Sequence, residues 1–260
     1  MQIVTLTTDW GDKDFFAGMV KGKLYSTIPG VNVVDITHGI EPFDLNSTTF
    51  IVKNACPNFP KGTIHIIDVR SFITKTNNFV VVEYQEQYYI CTDNKIPYSI
   101  FGDKFTTAVE IDVHWDSYFY NFAAYDLFCK VAAMIAQGLP LEKIGPRKDE
   151  LNKSQAITYI SDSNSIRAYI MYIDSYGNAY LNVTYEKFAE ISRNRSFSVC
   201  IQSEEKKFST IFDSFGSASK DSEMVVTASS TGYIVIGLKI ASAEQLLHLR
   251  VRDPILIKFF

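Results

Sequence analysis

A polar cluster near the start of the chain, Thr8-Asp-Trp-Gly11, has residue types suited to binding a sugar. It follows the short run Ile3–Thr7, whose apolar and β-branched residues predict a buried strand. Asp9 therefore comes at the carboxyl end of a strand, where open α/β sheets bind ligands. Its carboxylate offers two acceptor oxygens to the vicinal hydroxyls of a ribose. The alternative is an aspartate that caps the following helix.

A second cluster, Asp174-Ser-Tyr-Gly-Asn178, follows another predicted strand and contains turn residues. An asparagine side chain can pair with an adenine edge, and aromatic rings such as those of Tyr176 and Tyr180 can stack on a base. Asn178 and these two tyrosines are therefore candidates for holding a nucleobase. Residue types alone favour the alternative, a hairpin turn with two half-buried tyrosines.

The elements around Asp9 predict a βαβ unit. The strand Ile3–Thr7 precedes a helix at about 15–26, which Pro29-Gly30 ends, and a second strand follows at 32–36. Further along, the pattern predicts a helix at 44–54 capped by Asp44, strands at 63–69, 79–83 and 88–91, and a helix at 125–137.

The segment 145–154 is polar, charged and interrupted by proline, and it is the best domain boundary in the sequence. Short strands dominate beyond it. We therefore predict an α/β N-terminal domain at 1–146, a linker at 147–156 and a mostly β, barrel-like C-terminal domain at 157–260. The predicted C-terminal elements are strands at 165–174, 179–183, 197–201, 225–227, 233–238 and 254–259, with helices at 186–193 and 242–247.

Composition and missing motifs exclude several classes of function. The 260 residues carry a net charge of −4, which argues against a nucleic-acid binder. No apolar run is long enough for a membrane span and the first residues lack signal-peptide features, so we expect a cytoplasmic protein without membrane contact. Neither G-x-G-x-x-G nor a Walker loop occurs, and no cysteine or histidine pair has metal-ligand spacing. We expect neither a metal site nor a resident cofactor.

The order of short motifs along the chain resembles one enzyme family. These motifs are Thr7-Thr-Asp-Trp-Gly-x-x-Asp14, Val33-Val-Asp-Ile-Thr-His38, Phe59-Pro-Lys-Gly-Thr63, Gly138-Leu-Pro-Leu-Glu-Lys-Ile-Gly-Pro146, Ile173-Asp-Ser-Tyr-Gly-Asn178 and Ser229-Ser-Thr-Gly-Tyr233. Together they resemble the SAM hydroxide adenosyltransferases, the relatives of the fluorinase and chlorinase enzymes. Each motif is short, but the combination spans essentially the whole chain.

The resemblance implies a fold, an assembly and a reaction. It implies an α/β N-terminal domain, a β-barrel-like C-terminal domain and a homotrimer, with the ligand between one subunit's N-terminal domain and the next subunit's C-terminal domain. S-adenosylmethionine (SAM) is then substrate or ligand rather than a cofactor. Water, acting as hydroxide, attacks C5′ of the ribose opposite the sulfonium and gives adenosine and methionine.

The resemblance also assigns substrate-binding roles by position. Asp9 holds the ribose hydroxyls, Phe43 packs near C5′, and Asp174 meets the methionine ammonium. The remaining assignments are Tyr176, Asn178 and Tyr180 for the adenine and Ser230 for the methionine carboxylate.

The residues that activate the nucleophile in the family are not retained. Hydrolytic members carry an Asp in a V-D-P-G-V-G loop and an Arg shortly after it. Counting from Gly62 without gaps, the Asp position falls on Arg70 and the Arg position on Asn77, with Lys75 as the nearest cation. The family's F-H-G-R-D segment reads Phe122-Ala-Ala-Tyr-Asp126, so Ala123 replaces its His and Ala124 replaces the Ser of the halogenases.

Three residues remain as candidate catalytic groups: Asp68, Arg70 and Lys75. Strand residues two apart share a face, so Asp68 can point toward the same site as Arg70. The alternative is that Asp68 is simply the ionic partner of Arg70.

Three hypotheses about function follow. The first is a SAM hydrolase with an altered water-activating set, which we expect to be slow. The second is a non-catalytic trimer that binds an adenosyl group or nucleoside. The third is an adenosyltransferase with a different, anionic nucleophile attracted by Arg70 and Lys75. Halogenation is disfavoured because Ala124 lacks a hydroxyl donor.

Overall fold

The structure is a computed structural model that describes residues 1–119, 121–155, 157–202 and 204–260. The chain divides into two compact units, 1–155 and 156–260. The first unit extends to Gln155 rather than ending at Pro146. Residue 156 of the predicted linker lies outside the described residues.

The first unit contains a six-stranded mixed sheet. Its strands are β1 (Ile3–Thr8), β2 (Asn32–Thr37), β3 (Ile64–Asp68), β4 (Phe79–Tyr84), β5 (Gln87–Thr92) and β6 (Thr107–Glu110). The spatial order is β2-β1-β3-β5-β4-β6. The first four are parallel, whereas β4 runs antiparallel to both β5 and β6.

Helices cover both faces of this sheet, which confirms the predicted α/β class. They are α1 (Phe16–Thr27), α2 (Leu45–Ala55), α3 (Ile96–Phe101) and α4 (Cys129–Ala136). Helices α1 and α4 pack over one face and share an apolar core with Val4 and Leu6 of β1. Helices α2 and α3 pack over the other face, against residues such as Ile67 and Tyr89. Double coverage explains why strands β1 and β3 are almost wholly buried.

The helix predicted at 125–137 begins with a π-helical turn, Ala124–Phe128, before α4. The Cys129 N–H donates to the carbonyl of Ala124, five residues back. Such turns are rare and occur frequently at functional sites.

The segment after Pro146 belongs to the first unit because a buried carboxylate holds it. Asp93 is fully buried and accepts the backbone N–H of Asn152 at 3.0 Å, and the Lys148 amine lies 3.4 Å from it. Leu151 is buried beside the α2 and α3 core. Polarity and proline made this segment resemble a linker, but a buried charge requires partners, and the segment supplies them.

The second unit is mostly β, as predicted. Its strands are β7 (Ile160–Ser161), β8 (Ser165–Ile173), β9 (Ala179–Thr184), β10 (Phe197–Ile201), β11 (Glu204–Phe208), β12 (Met224–Ala228), β13 (Tyr233–Leu238) and β14 (Pro254–Phe259). All pair antiparallel in the order β11-β10-β14-β8-β9-β13-β12, with β7 added beside β8, and the sheet curls into a half-barrel. The helices are α5 (Tyr185–Ser192) and α6 (Ala243–Leu246).

Sequence patterns missed four short elements. Helix α3 has six residues, and β7 only two. Strand β11 lies at the edge of its sheet and carries charged residues, as edge strands commonly do. Strand β6 is also an edge strand and has only four residues. Within the described part of the chain, none of the helices has the length and apolar character needed to cross a bilayer.

The Asp44 side chain fixes the start of α2 and gives a testable prediction. It accepts the backbone N–H groups of Asn46 at 2.9 Å and Ser47 at 3.2 Å. We expect Asp44→Ala to lower the free energy of unfolding by about 0.5–2 kcal/mol. Denaturant unfolding followed by tryptophan fluorescence measures this, since both tryptophans, Trp10 and Trp115, lie in the first unit.

Two variants serve as controls for this cap. Asp44→Asn keeps an acceptor and should retain most of the stability, while Asp103→Ala removes an exposed carboxylate and should change it by less than about 0.5 kcal/mol. Equal stability of Asp44→Ala and the parent protein would contradict the assignment.

Candidate functional site

The first unit has a cleft of about 250 Å³ at the carboxyl ends of β1 and β3. Parallel pairing sets Thr8 of β1 opposite Asp68 of β3, so the residues that follow these strands meet at one sheet edge. The cleft is lined by Asp9, Trp10, Phe16, Phe43, Asp68, Arg70, Ser71, Phe72, Asn121, Phe122 and Ala123. Of the predicted site residues, Asp9, Phe43, Asp68 and Arg70 therefore come together here.

Asp9 and Phe43 are joined directly. One carboxylate oxygen of Asp9 accepts the backbone N–H of Phe43 at 2.8 Å. Phe43 has a left-handed backbone (φ 69°), and its ring is largely exposed at the cleft. The second Asp9 oxygen makes no hydrogen bond to another described residue, so this side is available for a ligand hydroxyl.

Asp68 is the buried carboxyl group of the cleft. It is 6% exposed, and its Oδ2 accepts the indole N–H of Trp10 at 3.0 Å. The Ser71 hydroxyl is buried close to Asp68 but meets no partner at hydrogen-bonding geometry among the described residues.

Burial sets the protonation of Asp68. Removal from water raises its pKa to about 7, with a smaller rise from the negative charge of Asp9. The Ser71 hydroxyl and the Trp10 indole act in the opposite direction, because donors stabilise the carboxylate. An aspartate poised near neutral pH is suited to exchanging a proton with a bound molecule.

Arg70 lines the cleft, and none of the described acidic residues forms an ion pair with it. It is exposed and has a left-handed backbone (φ 52°). No ion pair among the described residues joins it to Asp68, which contradicts the alternative that Asp68 is only its partner. Lys75 is exposed and does not line the cleft.

The residue just before the π-helical turn lines the cleft. Ala123, just before that turn, is buried and lines the cleft with a methyl group, while Ala124 is buried in the core. Sequence analysis did not assign roles to Trp10, Ser71 or Phe122. Trp10 lies within the motif Thr7–Asp14, which the sequence shows directly. Its contact with Asp68 joins residues 58 apart in the chain, so local sequence patterns do not reveal it.

In the second unit, Asp174 organises the turn between β8 and β9. Its Oδ1 accepts the backbone N–H groups of Tyr176 and Asn178, both at 2.9 Å. Its Oδ2 accepts the Asn178 side-chain amide at 3.0 Å and lies 3.5 Å from the Tyr180 hydroxyl. The hairpin-turn alternative therefore describes Asp174 well, since its own turn already satisfies both oxygens.

The candidate adenine residues share this turn. Tyr176 is 81% exposed, whereas Asn178 is buried, with its side-chain oxygen so near Gly237 that a Cβ there would lie 2.3 Å away. One amide hydrogen of Asn178 is used by Asp174, so the side chain is partly committed to this turn.

Ser230 lies apart from this turn. It is exposed in the turn between β12 and β13, where Gly232 accepts the backbone N–H of Tyr185. Asp174 instead lies beside Ala179, at the opposite end of β9. Five strand steps separate the two ends, roughly 17 Å. Because the ammonium and carboxylate of methionine share one carbon, Asp174 and Ser230 of one chain are not placed to hold both.

The raised pKa of Asp68 predicts a pH dependence of stability. Between about pH 4 and pH 7 the folded protein keeps a proton that the unfolded chain has released. The free energy of unfolding should therefore fall as pH rises through this window. Asp68→Asn should remove the contribution of Asp68 and make the slope shallower, as measured by denaturant unfolding at a series of pH values.

The control for this measurement is Asp12→Asn, which changes an exposed aspartate and should leave the slope intact. Identical pH profiles for the parent protein and Asp68→Asn would show that Asp68 does not titrate in this range.

Two comparisons of the sequence identify relatives. The chain matches the sequence models of the SAM hydroxide adenosyltransferase N-terminal domain over residues 4–145 and of the C-terminal domain over residues 168–256. It is 22% identical over 259 residues to a protein of Salinispora tropica named (R)-S-adenosyl-L-methionine hydrolase, covering 96% of this chain and 95% of that one. A protein of the same name from Methanocaldococcus jannaschii is 23% identical over 189 residues, covering 70% and 67%.

The fold has a close counterpart among solved structures. The crystal structure of an uncharacterized conserved protein from Thermotoga maritima matches with a TM-score of 0.90 and 24% identity, over 98% of this chain and 99% of that one. This match shows a shared fold. Since the two domain models together match most of the sequence, the chain belongs to the SAM hydroxide adenosyltransferase family.

Proposed function

We propose that this protein binds S-adenosylmethionine and cleaves it with water at C5′ of the ribose, releasing adenosine and methionine. The observation that carries the proposal is the buried Asp68 carboxyl group, whose pKa is about 7, in the same cleft as Asp9. Family membership and the names of two relatives, both called (R)-S-adenosyl-L-methionine hydrolase, support the same reaction.

The backbone of the loop after β3 supports Asp68 as the family's activating aspartate. In the family motif V-D-P-G-V-G, glycine comes two residues after the Asp. Arg70 comes two residues after Asp68 and has the left-handed backbone that glycine adopts without strain. A two-residue gap would then replace the ungapped count that put the Asp position on Arg70. The Arg position, seven residues further on by that count, would fall on Lys75.

The chemistry needs little beyond alignment and one proton acceptor. Water attacks C5′ while the C5′–S bond breaks, and the sulfonium takes the bonding electron pair and leaves as the neutral thioether of methionine. The proton lost by water passes to the Asp68 carboxylate. Asp9 holds the ribose hydroxyls, and Phe43 packs near C5′ and excludes bulk water.

Two departures from the family make the proposed reaction slow. Ala123 offers only a methyl group at the family's His position, and Lys75 does not line the cleft. Losing one well-placed catalytic donor or base typically lowers a rate about 10²–10⁴-fold. Such losses do not simply multiply, so turnover by alignment and Asp68 is expected to remain. The Ala123 substitution equally favours the second candidate, a protein that binds SAM without turnover.

The first test is incubation with SAM followed by chromatography for adenosine and methionine. We expect slow release of both products, at a rate that rises with pH through about 7 as Asp68 loses its proton. Asp68→Asn should abolish the release without weakening nucleoside binding.

The outcomes separate the candidates. Binding without product would select the non-catalytic function. Hydrolysis that Asp68→Asn leaves unchanged would show that another group activates water.

Affinity measurements test the ribose contact. Asp9→Ala would leave the ribose hydroxyls unpaired, and we expect adenosine affinity to fall by about 1–3 kcal/mol, or roughly 5- to 150-fold, in calorimetry. Asp9→Asn keeps one acceptor and should lose less.

The matched control is Asp12→Ala, since Asp12 is exposed and close in sequence but does not line the cleft. A similar loss in that variant, or no binding of adenosine or SAM by the parent protein, would contradict the proposal.

We further propose a homotrimer in which one subunit's Asp9 cleft meets the Asp174–Asn178 turn of the next. Both Asp174 oxygens already accept hydrogen bonds within their own turn, so a methionine ammonium would compete with these donors for the carboxylate. Light scattering should give three times the chain mass at micromolar concentration, and a stable monomer would contradict this assembly.

A further inference from the structure

Trp10 is fixed on three sides within the cleft. Its ring stacks on that of His38, with centroids 5.6 Å apart and planes inclined by 11°. The ring of Phe122 meets it edge-on at 5.3 Å. Its indole N–H donates to Asp68 Oδ2 at 3.0 Å. This side chain therefore has one orientation, and its single donor points at the buried carboxyl group.

The His38 ring is held by a hydrogen bond at one of its two nitrogens. Its Nδ1 lies 2.7 Å from the Thr8 hydroxyl. Its Nε2 lies 3.2 Å from Asp35 Oδ1 but meets no described residue at hydrogen-bonding geometry. His38 is 7% exposed. The motif Val33-Val-Asp-Ile-Thr-His38 thus supplies the buried ring on which Trp10 stacks. This packing role of His38 is separate from the substrate contacts proposed above.

Besides Trp10, two groups act on the Asp68 charge, and two further titratable or charged groups lie near it. The charge of Asp9 disfavours ionisation, and the Ser71 hydroxyl favours it. The buried thiol of Cys129, at the start of α4, interacts with the Asp68 charge, and Arg70 lines the same cleft. Among the described residues, the Trp10 indole is the donor that meets Asp68 at normal hydrogen-bonding geometry.

We propose that Trp10, clamped by His38, is a positioning residue that orients the Asp68 carboxyl group and stabilises its ionised form. The consequence for hydrolysis rests on the proposed function, since it requires Asp68 to accept the proton of water. The effect on Asp68 itself does not require catalysis. By holding Oδ2, the indole leaves Oδ1 as the oxygen available to a water molecule in the cleft.

Trp10→Phe separates the hydrogen bond from the packing. Phenylalanine keeps an aromatic ring against His38 and Phe122 but has no N–H. The Asp68 pKa should then rise by on the order of one pH unit, because a donor to the charged form is lost. Trp115→Phe is the matched control, since Trp115 does not line the cleft.

The experiment follows the Asp68 carboxyl carbon by ¹³C NMR as pH is varied in the parent protein, Trp10→Phe and Trp115→Phe, with Asp68→Asn identifying the signal. We expect an upward shift of the midpoint in Trp10→Phe alone. In parallel, kcat for SAM hydrolysis at pH 7 should fall roughly fivefold with KM little changed, because the ionised fraction of Asp68 falls from about one half to about one tenth. Activity should recover toward the parent value at pH 9, which a merely distorted cleft would not do.

An unchanged Asp68 midpoint in Trp10→Phe would overturn the proposal, as would an equal shift in Trp115→Phe. If Trp10→Phe does not fold, the Trp10 indole Nε1–H signal of the parent protein tests the proposal instead. Its chemical shift must change with pH at the Asp68 midpoint, and this change must disappear in Asp68→Asn. A chemical shift that does not change with pH in the parent protein overturns the proposal. If the parent protein shows no hydrolysis, the proposed function fails, while the NMR titrations still decide the role of Trp10.

Discussion

The parallel pairing of β1 with β3 is the constraint on which the candidate site depends. It sets Thr8 opposite Asp68, so Asp9 and Asp68 reach the same sheet edge from segments about sixty residues apart. Burial at this edge disfavours the ionised form of Asp68, and the negative charge of Asp9 adds a smaller effect in the same direction. Asp68 therefore has a pKa of about 7 because of where the ladder places it.

The surroundings of Asp68 in the first unit keep this carboxyl group buried. Helices cover both faces of the sheet whose edge carries Asp68, and Trp10 donates a hydrogen bond to the carboxyl group within the cleft. Phe43 and Arg70 adopt left-handed backbone conformations at the rim. Such conformations are costly for residues other than glycine and cluster at functional sites, because the surrounding fold must enforce them.

Asp174 shows the contrasting case. Like Asp68, it lies at the end of a strand, but four donors from its own turn and from β9 surround its two oxygens. An aspartate satisfied by local backbone groups mainly stabilises a turn, whereas one whose donor comes from a distant part of the chain is set by the tertiary fold. This difference separates a turn-forming carboxylate from one suited to proton transfer.

Features that depend on residues close together in the chain could be predicted from the sequence. Apolar and β-branched runs located most strands, Asp44 marked the start of α2, and the order of short motifs indicated the family. Short elements such as α3 and the charged edge strand β11 escaped, because few residues carry their signal. Polarity and proline in the segment after Pro146 predict a linker, whereas the attachment of this segment to the first unit depends on Asp93, 59 residues before Asn152.

The sequence by itself also named Asp9, Phe43, Asp68 and Arg70 as candidates, but it left the relation between Asp68 and Arg70 open. The tertiary structure decided that Asp68 bonds to Trp10 and not to Arg70, and that Ser230 lies at the far end of β9 from Asp174. The physical reason is that pKa values and hydrogen-bond partners depend on burial and on neighbours from other strands. The periodicity of a strand predicts on which face of the sheet a side chain lies. Which side chains from other elements it contacts there is decided only when the sheet and helices pack.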